Sequence, residues 1–78
     1  MINISDHIHS DPAILFGKPV IKNTRISVEL ILEKMADGYT NEDIMSAYPS
    51  VNREDLKACL LFASDAVKNE INYHLAAS

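Results

Sequence analysis

The chemically reactive residues of this chain are few, and they do not form a recognisable catalytic pattern. Cys59 is the only cysteine among 78 residues, so the chain can build neither an internal disulfide nor a cysteine-based zinc site. It lies in the apolar segment 58–63, where a thiol is typically a small buried hydrophobic group, and no base is placed to activate it. The pair Gly17-Lys18 lacks the spacing of a phosphate-binding loop. The sequence therefore predicts a protein that is not an enzyme and uses no cofactor.

Histidines and aspartates near the N-terminus have a spacing that is compatible with a metal. In an extended strand His7 and His9 would project from one face, with Asp6 and Asp11 nearby. Zinc sites use three or four well-placed ligands, however, and His74 is far away in the sequence. We therefore favour a polar, solvated arm at these positions and predict no metal site.

A cluster of basic residues in the segment 12–28 is the main electrostatic feature. The segment carries a charge of +3 in a chain whose net charge is −4, so the rest of the chain carries −7. Basic side chains on an otherwise acidic protein favour contacts with phosphates, and dimerisation would double the number of these side chains. The candidate DNA-binding residues at this corner are Lys18, Lys22, Thr24 and Arg25. A structural role is the alternative for Arg25, whose guanidinium could pair with Glu29 or bind backbone carbonyls.

The elements that must position this corner are an arm and hairpin over residues 1–26. Ile2, Ile4 and Ile8 alternate loosely with polar residues, which suits a short strand or an arm lying on another surface. Apolar runs on either side of Gly17-Lys18-Pro19 predict a small, edge-like hairpin. Helical periodicity starts after Ser27, so residues 27–78 form the helical core of a single domain.

Capping residues divide this core into three helices. Ser27 begins helix 1 over residues 28–37, and Gly38 ends it. Thr40 begins helix 2, which Pro49 ends. Asn52 caps helix 3, which has no helix breaker over residues 53–77. The prediction is a mainly α protein with a three-helix, homeodomain-like or helix-turn-helix core, a small N-terminal β-hairpin or arm, and a long C-terminal helix.

The start of helix 3 is the part that enters the major groove in such modules. Arg53 and Lys57 are therefore further candidate DNA-binding residues. Glu54 and Asp55 lie between them and would repel phosphates, which argues against strong, independent groove binding. On helix 1, an acidic stripe repeats every four residues from Glu29, and it predicts either a solvated face or docking to a basic partner.

Helix 3 carries two apolar stripes, which is more than so small a core needs. The first comprises Leu56, Leu60, Ala63, Val67, Ile71 and Leu75, and it is expected to cover helices 1 and 2. The second comprises Cys59, Phe62, Ala66 and Tyr73. A short chain buries only about 60 to 65% of its unfolded surface, which favours a partner. We therefore interpret the second stripe as the surface of a homodimer or of another partner.

Composition places the chain among ordinary globular proteins. Hydrophobic residues make up 47% and charged residues 23%, which excludes wholesale disorder. No apolar run approaches the roughly 20 residues that span a bilayer. The N-terminus lacks the basic start of a signal peptide, so we expect a cytoplasmic protein without membrane contact.

The opening segment also carries a specific family motif. Residues 17–22 read Gly-Lys-Pro-Val-Ile-Lys and are followed by Thr24-Arg25-Ile26, with Gly38-Tyr39-Thr40, Tyr48-Pro49 and residues 53–56 further on. In this pattern the chain resembles domain-of-unknown-function family 433 over roughly residues 5 to 65. Family members typically have glycine in place of Asn23 and proline in place of Ser27. Asparagine tolerates a left-handed turn and serine caps a helix, so both differences preserve the backbone geometry.

The resemblance implies a homeodomain-like, VapB-like antitoxin. Such a protein neutralises a PIN-like ribonuclease toxin and can bind operator DNA as a dimer. The toxin would have a carboxylate-lined site, which a cation of Lys68 or Arg53 could enter, although steric cover of the RNA path is the more natural mode. The candidate partner or dimer residues are Cys59, Phe62, Ala66, Lys68, Ile71, Tyr73 and Leu75. The alternative function is a homodimeric protein-interaction module without DNA binding.

Overall fold

The computed structural model describes residues 2–69, which form three α-helices and a small antiparallel sheet. The helices are α1 (Val28–Ala36), α2 (Asn41–Ala47) and α3 (Arg53–Asn69), and the strands are β1 (Ile8–His9) and β2 (Val20–Ile21). Short 3-10 turns cover Ile4–Asp6 and Leu15–Gly17. The mainly helical prediction with a small N-terminal β element is confirmed. No helix in this described part of the chain is long and apolar enough to cross a bilayer.

The sheet pairs β2 with β1, and the predicted hairpin is wrong in its first strand. Ile8 is opposite Ile21 and His9 is opposite Val20, so the N-terminal arm supplies the partner strand. The apolar run that was expected to pair with β2 instead forms the second 3-10 turn. Leu15, Phe16 and Gly17 all have positive φ, at 49°, 58° and 84°, and this left-handed backbone cannot continue as a strand.

Each of the first two helices begins at the predicted cap. The Ser27 hydroxyl accepts a hydrogen bond from the amide of Leu30 at 3.0 Å, and α1 ends one residue earlier than predicted, before Gly38 at φ 95°. Thr40 and Asp43 form a reciprocal capping box at α2, with both hydrogen bonds at 3.0 Å. The caps therefore fix where the helices start.

A second capping box begins α3. The Asn52 side chain accepts from the amide of Asp55 at 2.8 Å, and the Asp55 carboxylate accepts from the amide of Asn52 at 3.0 Å. The helix continues to Asn69, and the remainder of the predicted helix, residues 70–77, lies outside the described residues.

The core lies where α3 meets α1, α2 and the N-terminal arm. Its buried members are Ile8, Ile21, Val28, Ile31, Ile44, Val51, Leu56, Ala58 and Cys59. The predicted faces of α3 are corrected accordingly: Cys59 is fully buried, so it cannot belong to a partner surface, whereas Leu60 and Val67 are 52% and 65% exposed. The reason is that α3 also packs against β1 and the first 3-10 turn, which rotates its buried face away from the predicted one.

Candidate DNA and partner interfaces

The basic corner between β2 and α1 is held by backbone hydrogen bonds. The amide of Ile21 donates to the carbonyl of Ile26 at 2.9 Å, and the amide of Lys22 donates to the carbonyl of His7 at 2.7 Å. Asn23 has φ 64°, a left-handed conformation that asparagine adopts more readily than most residues. Both ends of the turn are thereby tied to the sheet.

Thr24 is part of the turn's own hydrogen bonding. Its hydroxyl donates to the carbonyl of Ile21 at 2.7 Å and accepts from the amide of Ile26 at 2.9 Å. A hydroxyl has a single proton to donate, so a phosphate contact through this proton requires the bond to Ile21 to break. Thr24 therefore shapes the corner, and its predicted contact with DNA is available only at that cost.

Lys22 and Arg25 are the exposed cations of the corner. Within residues 2–69 neither side chain forms an ion pair or a hydrogen bond. The alternative in which Arg25 pairs with Glu29 is wrong, because Lys18 holds that carboxylate with an Nζ–Oε1 distance of 3.0 Å. The structure therefore separates the three predicted basic residues into one that is paired and two that are open to a ligand.

The start of α3 is close to electrically neutral. Arg53 donates to Glu42 on α2 at 2.7 Å, and this hydrogen bond lowers the pKa of the Glu42 carboxyl below its ordinary value. Both side chains are exposed, so solvent screens the pair and it can open. Lys57 and Arg53 line a cleft of about 540 Å³ together with Glu54. Asp55 points inward, so only one of the two predicted repelling carboxylates remains at the surface.

Asp55 and His7 join the N-terminal arm to α3. Their Nδ1–Oδ1 distance is 2.8 Å, and the two side chains are 20% and 10% exposed for His7 and Asp55 respectively. The expected solvated arm is therefore wrong, because the arm packs on the helix. The Nε2 atom of His9 is buried and has no hydrogen-bond partner among residues 2–69. Among residues 2–69, no group of three or more potential ligand side chains is positioned to hold a metal.

An apolar groove lies between α1 and α3, with a volume of about 490 Å³. It is lined by Pro19, Val28, Glu29, Leu32, Glu33, Ala36, Phe62, Ala63, Ala66 and Val67. Two predicted partner residues, Phe62 and Ala66, line it. Sequence reasoning missed the contribution of α1, although Leu32 and Ala36 follow each other at helical spacing. Lys68 is exposed further along α3, while Ile71, Tyr73 and Leu75 lie outside the described residues.

Cys59 and Phe16 lie at opposite ends of the range of solvent exposure. Cys59 is fully buried, and burial together with the nearby Asp55 charge raises the pKa of its thiol to about 11, so its predicted role as a small hydrophobic side chain is confirmed. Phe16 is 100% exposed. This exposure could not be predicted from the sequence, because an aromatic residue in an apolar run is ordinarily a core residue.

Comparison with known proteins gives a consistent family match. The family model described as "Protein of unknown function (DUF433)" matches residues 8–63. The uncharacterized protein y4eO of Sinorhizobium fredii is 32% identical over 56 residues, which cover 72% of this chain and 25% of that protein, so the chain spans about a quarter of the relative's length. A crystal structure of a DUF433 member protein from Anabaena variabilis matches with a TM-score of 0.74 and 25% identity, covering 90% of this chain and 72% of that one.

Proposed function

The chain belongs to the DUF433 family of proteins of unknown function, and we propose that it is a VapB-like antitoxin. It acts as a small dimer that neutralises a PIN-like ribonuclease toxin and binds operator DNA. The function is one of binding and involves no catalysis. The proposal takes the three helices as a homeodomain-like module, since α2 and α3 are joined by a short corner as in helix-turn-helix proteins.

The observation that carries the DNA-binding part is the state of Lys22 and Arg25. Both are exposed on a hydrogen-bonded corner, and neither is neutralised by a carboxylate within the described residues. Because an exposed cation ordinarily gains from a nearby acidic side chain, two unneutralised cations on a chain of net charge −4 favour an anionic partner. A phosphate backbone meets that requirement.

The start of α3 adds contacts of lower strength. Glu42 partly neutralises Arg53, which weakens its attraction for a phosphate, and Lys57 lies beside Glu54. We therefore expect α3 to orient the protein on DNA, while the corner supplies most of the salt-sensitive affinity. The body of the protein repels DNA, so binding is modest until a partner adds positive charge.

Toxin binding is assigned to the far end of α3. Lys68 is exposed there and precedes Ile71, Tyr73 and Leu75, which can anchor an amphipathic segment in an apolar groove of the toxin. Lys68 can also approach the carboxylates of a nuclease site. The chain has no arginine after Arg53, so steric cover of the RNA path is the expected mode of inhibition.

The experiment is a fluorescence anisotropy titration with a duplex that covers the region upstream of the protein's own reading frame. The test variant is Lys22→Ala with Arg25→Ala, and the matched control is Lys34→Ala with Lys68→Ala, which removes the same charge elsewhere. In a dimer the test variant loses four corner cations, so the slope of log Kd against log salt falls by up to about 3.6, at roughly 0.9 per phosphate contact. An equal slope for the test and control variants would remove the corner from the mechanism.

A homodimeric interaction module without DNA binding is the second candidate. It is favoured by the neutralisation of Arg53 by Glu42 and by the exposed carboxylates Glu29 and Glu33 on α1. The same titration distinguishes the two candidates, because this module would leave the duplex unbound even at low salt, where phosphate contacts are strongest.

A further inference from the structure

Phe16 combines full exposure with an unfavourable backbone conformation. It is 100% exposed and lies at φ 58°, between Leu15 at φ 49° and Gly17 at φ 84°. Left-handed geometry is unfavourable for a bulky L-residue, and an exposed ring gains no burial to offset it. Strained conformations of this kind are concentrated at binding sites. Hydrogen bonds from the amides of Gly17 and Lys18, at 3.0 and 3.2 Å, hold the turn that presents the ring.

The apolar groove between α1 and α3 begins next to this turn. Pro19, which lines the groove, follows Phe16 by three residues, a chain distance of at most about 11 Å. Lys18 lies between them and pairs with Glu29 at the groove rim. An exposed aromatic ring is therefore followed, within three residues along the chain, by a residue that lines an apolar recess.

We propose that this surface binds a second copy of the chain, with Phe16 of each copy inserted into the α1/α3 groove of the other. In a two-fold interface the same patch serves on both subunits, so a projection and its recess must belong to one patch. The three-residue separation of Phe16 from Pro19 is short enough for this. The interface deepens the proposed function, since it specifies how the antitoxin forms its dimer.

Charge complementarity favours a second copy over DNA as the occupant. The groove rim carries Glu29 and Glu33, which would repel phosphates, whereas the turn that presents Phe16 continues into Lys18. Lys18 already pairs with Glu29 of its own chain, so reciprocal insertion brings it towards Glu33 on the rim of the other copy. Two inserted rings bury about 300 to 500 Å² of the roughly 1,200 to 2,000 Å² in a standard interface, and the groove walls with the exposed Val67 can supply more.

The test measures mass by light scattering across a concentration series. We expect the wild-type protein to be a dimer. Phe16→Ala removes two rings per dimer and should weaken the dimer about a thousandfold, at roughly thirtyfold per central aromatic residue. Ala66→Trp fills the groove and should also give a monomer. Leu60→Ala is the matched control, because Leu60 is 52% exposed on α3 but does not line the groove, and it should remain a dimer.

Mixing the two monomeric variants gives the sharpest result. A pair of one Phe16→Ala chain and one Ala66→Trp chain keeps one intact ring facing one intact groove, so a heterodimer should form about thirtyfold more weakly than the wild-type dimer. Circular dichroism of each variant checks that it is folded. A mixture that stays monomeric would overturn the proposal, as would a wild-type protein that is a monomer or a Phe16→Ala protein that dimerises like the wild type.

Failure of this interface can be distinguished from failure of the antitoxin function. If Phe16→Ala stays dimeric yet no longer binds the product of the adjacent reading frame, Phe16 is a toxin contact and the dimer proposal is wrong. If the dimer behaves as expected but binds neither that product nor the upstream duplex, the interface stands and the antitoxin function does not.

Discussion

Replacing Asp55 by alanine should destabilise the protein strongly, because this side chain connects two distant parts of the chain. Its Oδ2 accepts from the amide of Asn52 at 3.0 Å in the α3 capping box, and its Oδ1 lies 2.8 Å from Nδ1 of His7. Loss of a helix-capping interaction costs about 1 kcal/mol. Leaving the half-buried His7 ring without its partner adds about 1 to 2 kcal/mol. The expected loss in the free energy of unfolding is therefore about 2 to 3 kcal/mol.

Such a loss is large for a domain of this size. A chain of this length is expected to have a free energy of unfolding of roughly 4 to 12 kcal/mol. At about 4 to 8 °C per kcal/mol, the Asp55→Ala protein should melt roughly 8 to 24 °C below the wild type. Urea unfolding measures the loss in free energy and thermal unfolding measures the melting temperature, both followed by far-ultraviolet circular dichroism. Asp65→Ala is the control, because Asp65 is exposed on the same helix and makes no ion pair within residues 2–69.

A double-mutant cycle with His7→Ala separates the arm contact from the helix cap. The coupling free energy between the two positions should be at least about 0.5 kcal/mol, since the side chains are in direct contact. The reasoning is refuted if Asp55→Ala loses no more stability than Asp65→Ala. Zero coupling with a large single effect would mean that Asp55 acts through the cap alone.

Three further predictions concern local features. The Cys59 thiol should not react with Ellman's reagent until the protein unfolds, and rapid labelling of the native protein would contradict this. Burial raises the pKa of the thiol from an ordinary 9.0 to about 11, so its contribution to stability should be full below pH 9 and lost as the pH rises through 11. Asn23→Val should lower the free energy of unfolding by about 1 to 2 kcal/mol and Asn23→Gly should change it little, because the backbone is left-handed there; equal urea midpoints for the two variants would be inconsistent with that backbone. Arg53→Ala should raise the pKa of the Glu42 carboxyl towards its ordinary value, as followed by carboxyl-carbon NMR, while the urea midpoint changes little because both side chains are exposed. An unchanged titration would rule the pair out in solution.

The helix boundaries were predictable from sequence because capping is local. Ser27 and Thr40 accept hydrogen bonds from amides three residues later, and Gly38 takes the left-handed conformation at the end of α1. Each signal lies within one turn of the residue that it affects. The local sequence around each boundary is therefore sufficient to predict where the helix begins or ends.

The pairing of the strands was not predictable in the same way. The apolar run before Lys18 is the nearer candidate partner for β2, but the actual partner is Ile8–His9, which lies farther away in the sequence, towards the N-terminus. Three consecutive left-handed residues prevent the nearer run from forming a strand. Of these three, only Gly17 is a residue type that predicts this conformation. The contact between His7 and Asp55 spans 48 residues, so no local pattern reveals it.

The buried face of α3 shows how an unrecognised neighbour changes an amphipathic prediction. Two apolar stripes fit the helical period of α3, and the stripe predicted to be buried is the one expected to face only α1 and α2. The arm also covers this helix, so Cys59 becomes core and Leu60 becomes surface. The basic corner was identified from its charge alone, but the distinction between the paired Lys18 and the open Lys22 depends on Glu29, 11 residues after Lys18.

The most direct test of the proposed function is the light-scattering mass of the protein alone and after mixing with the product of the adjacent reading frame. The antitoxin proposal predicts a dimer that shifts to a stoichiometric complex containing both proteins. A mass that is unchanged by the second protein would contradict it.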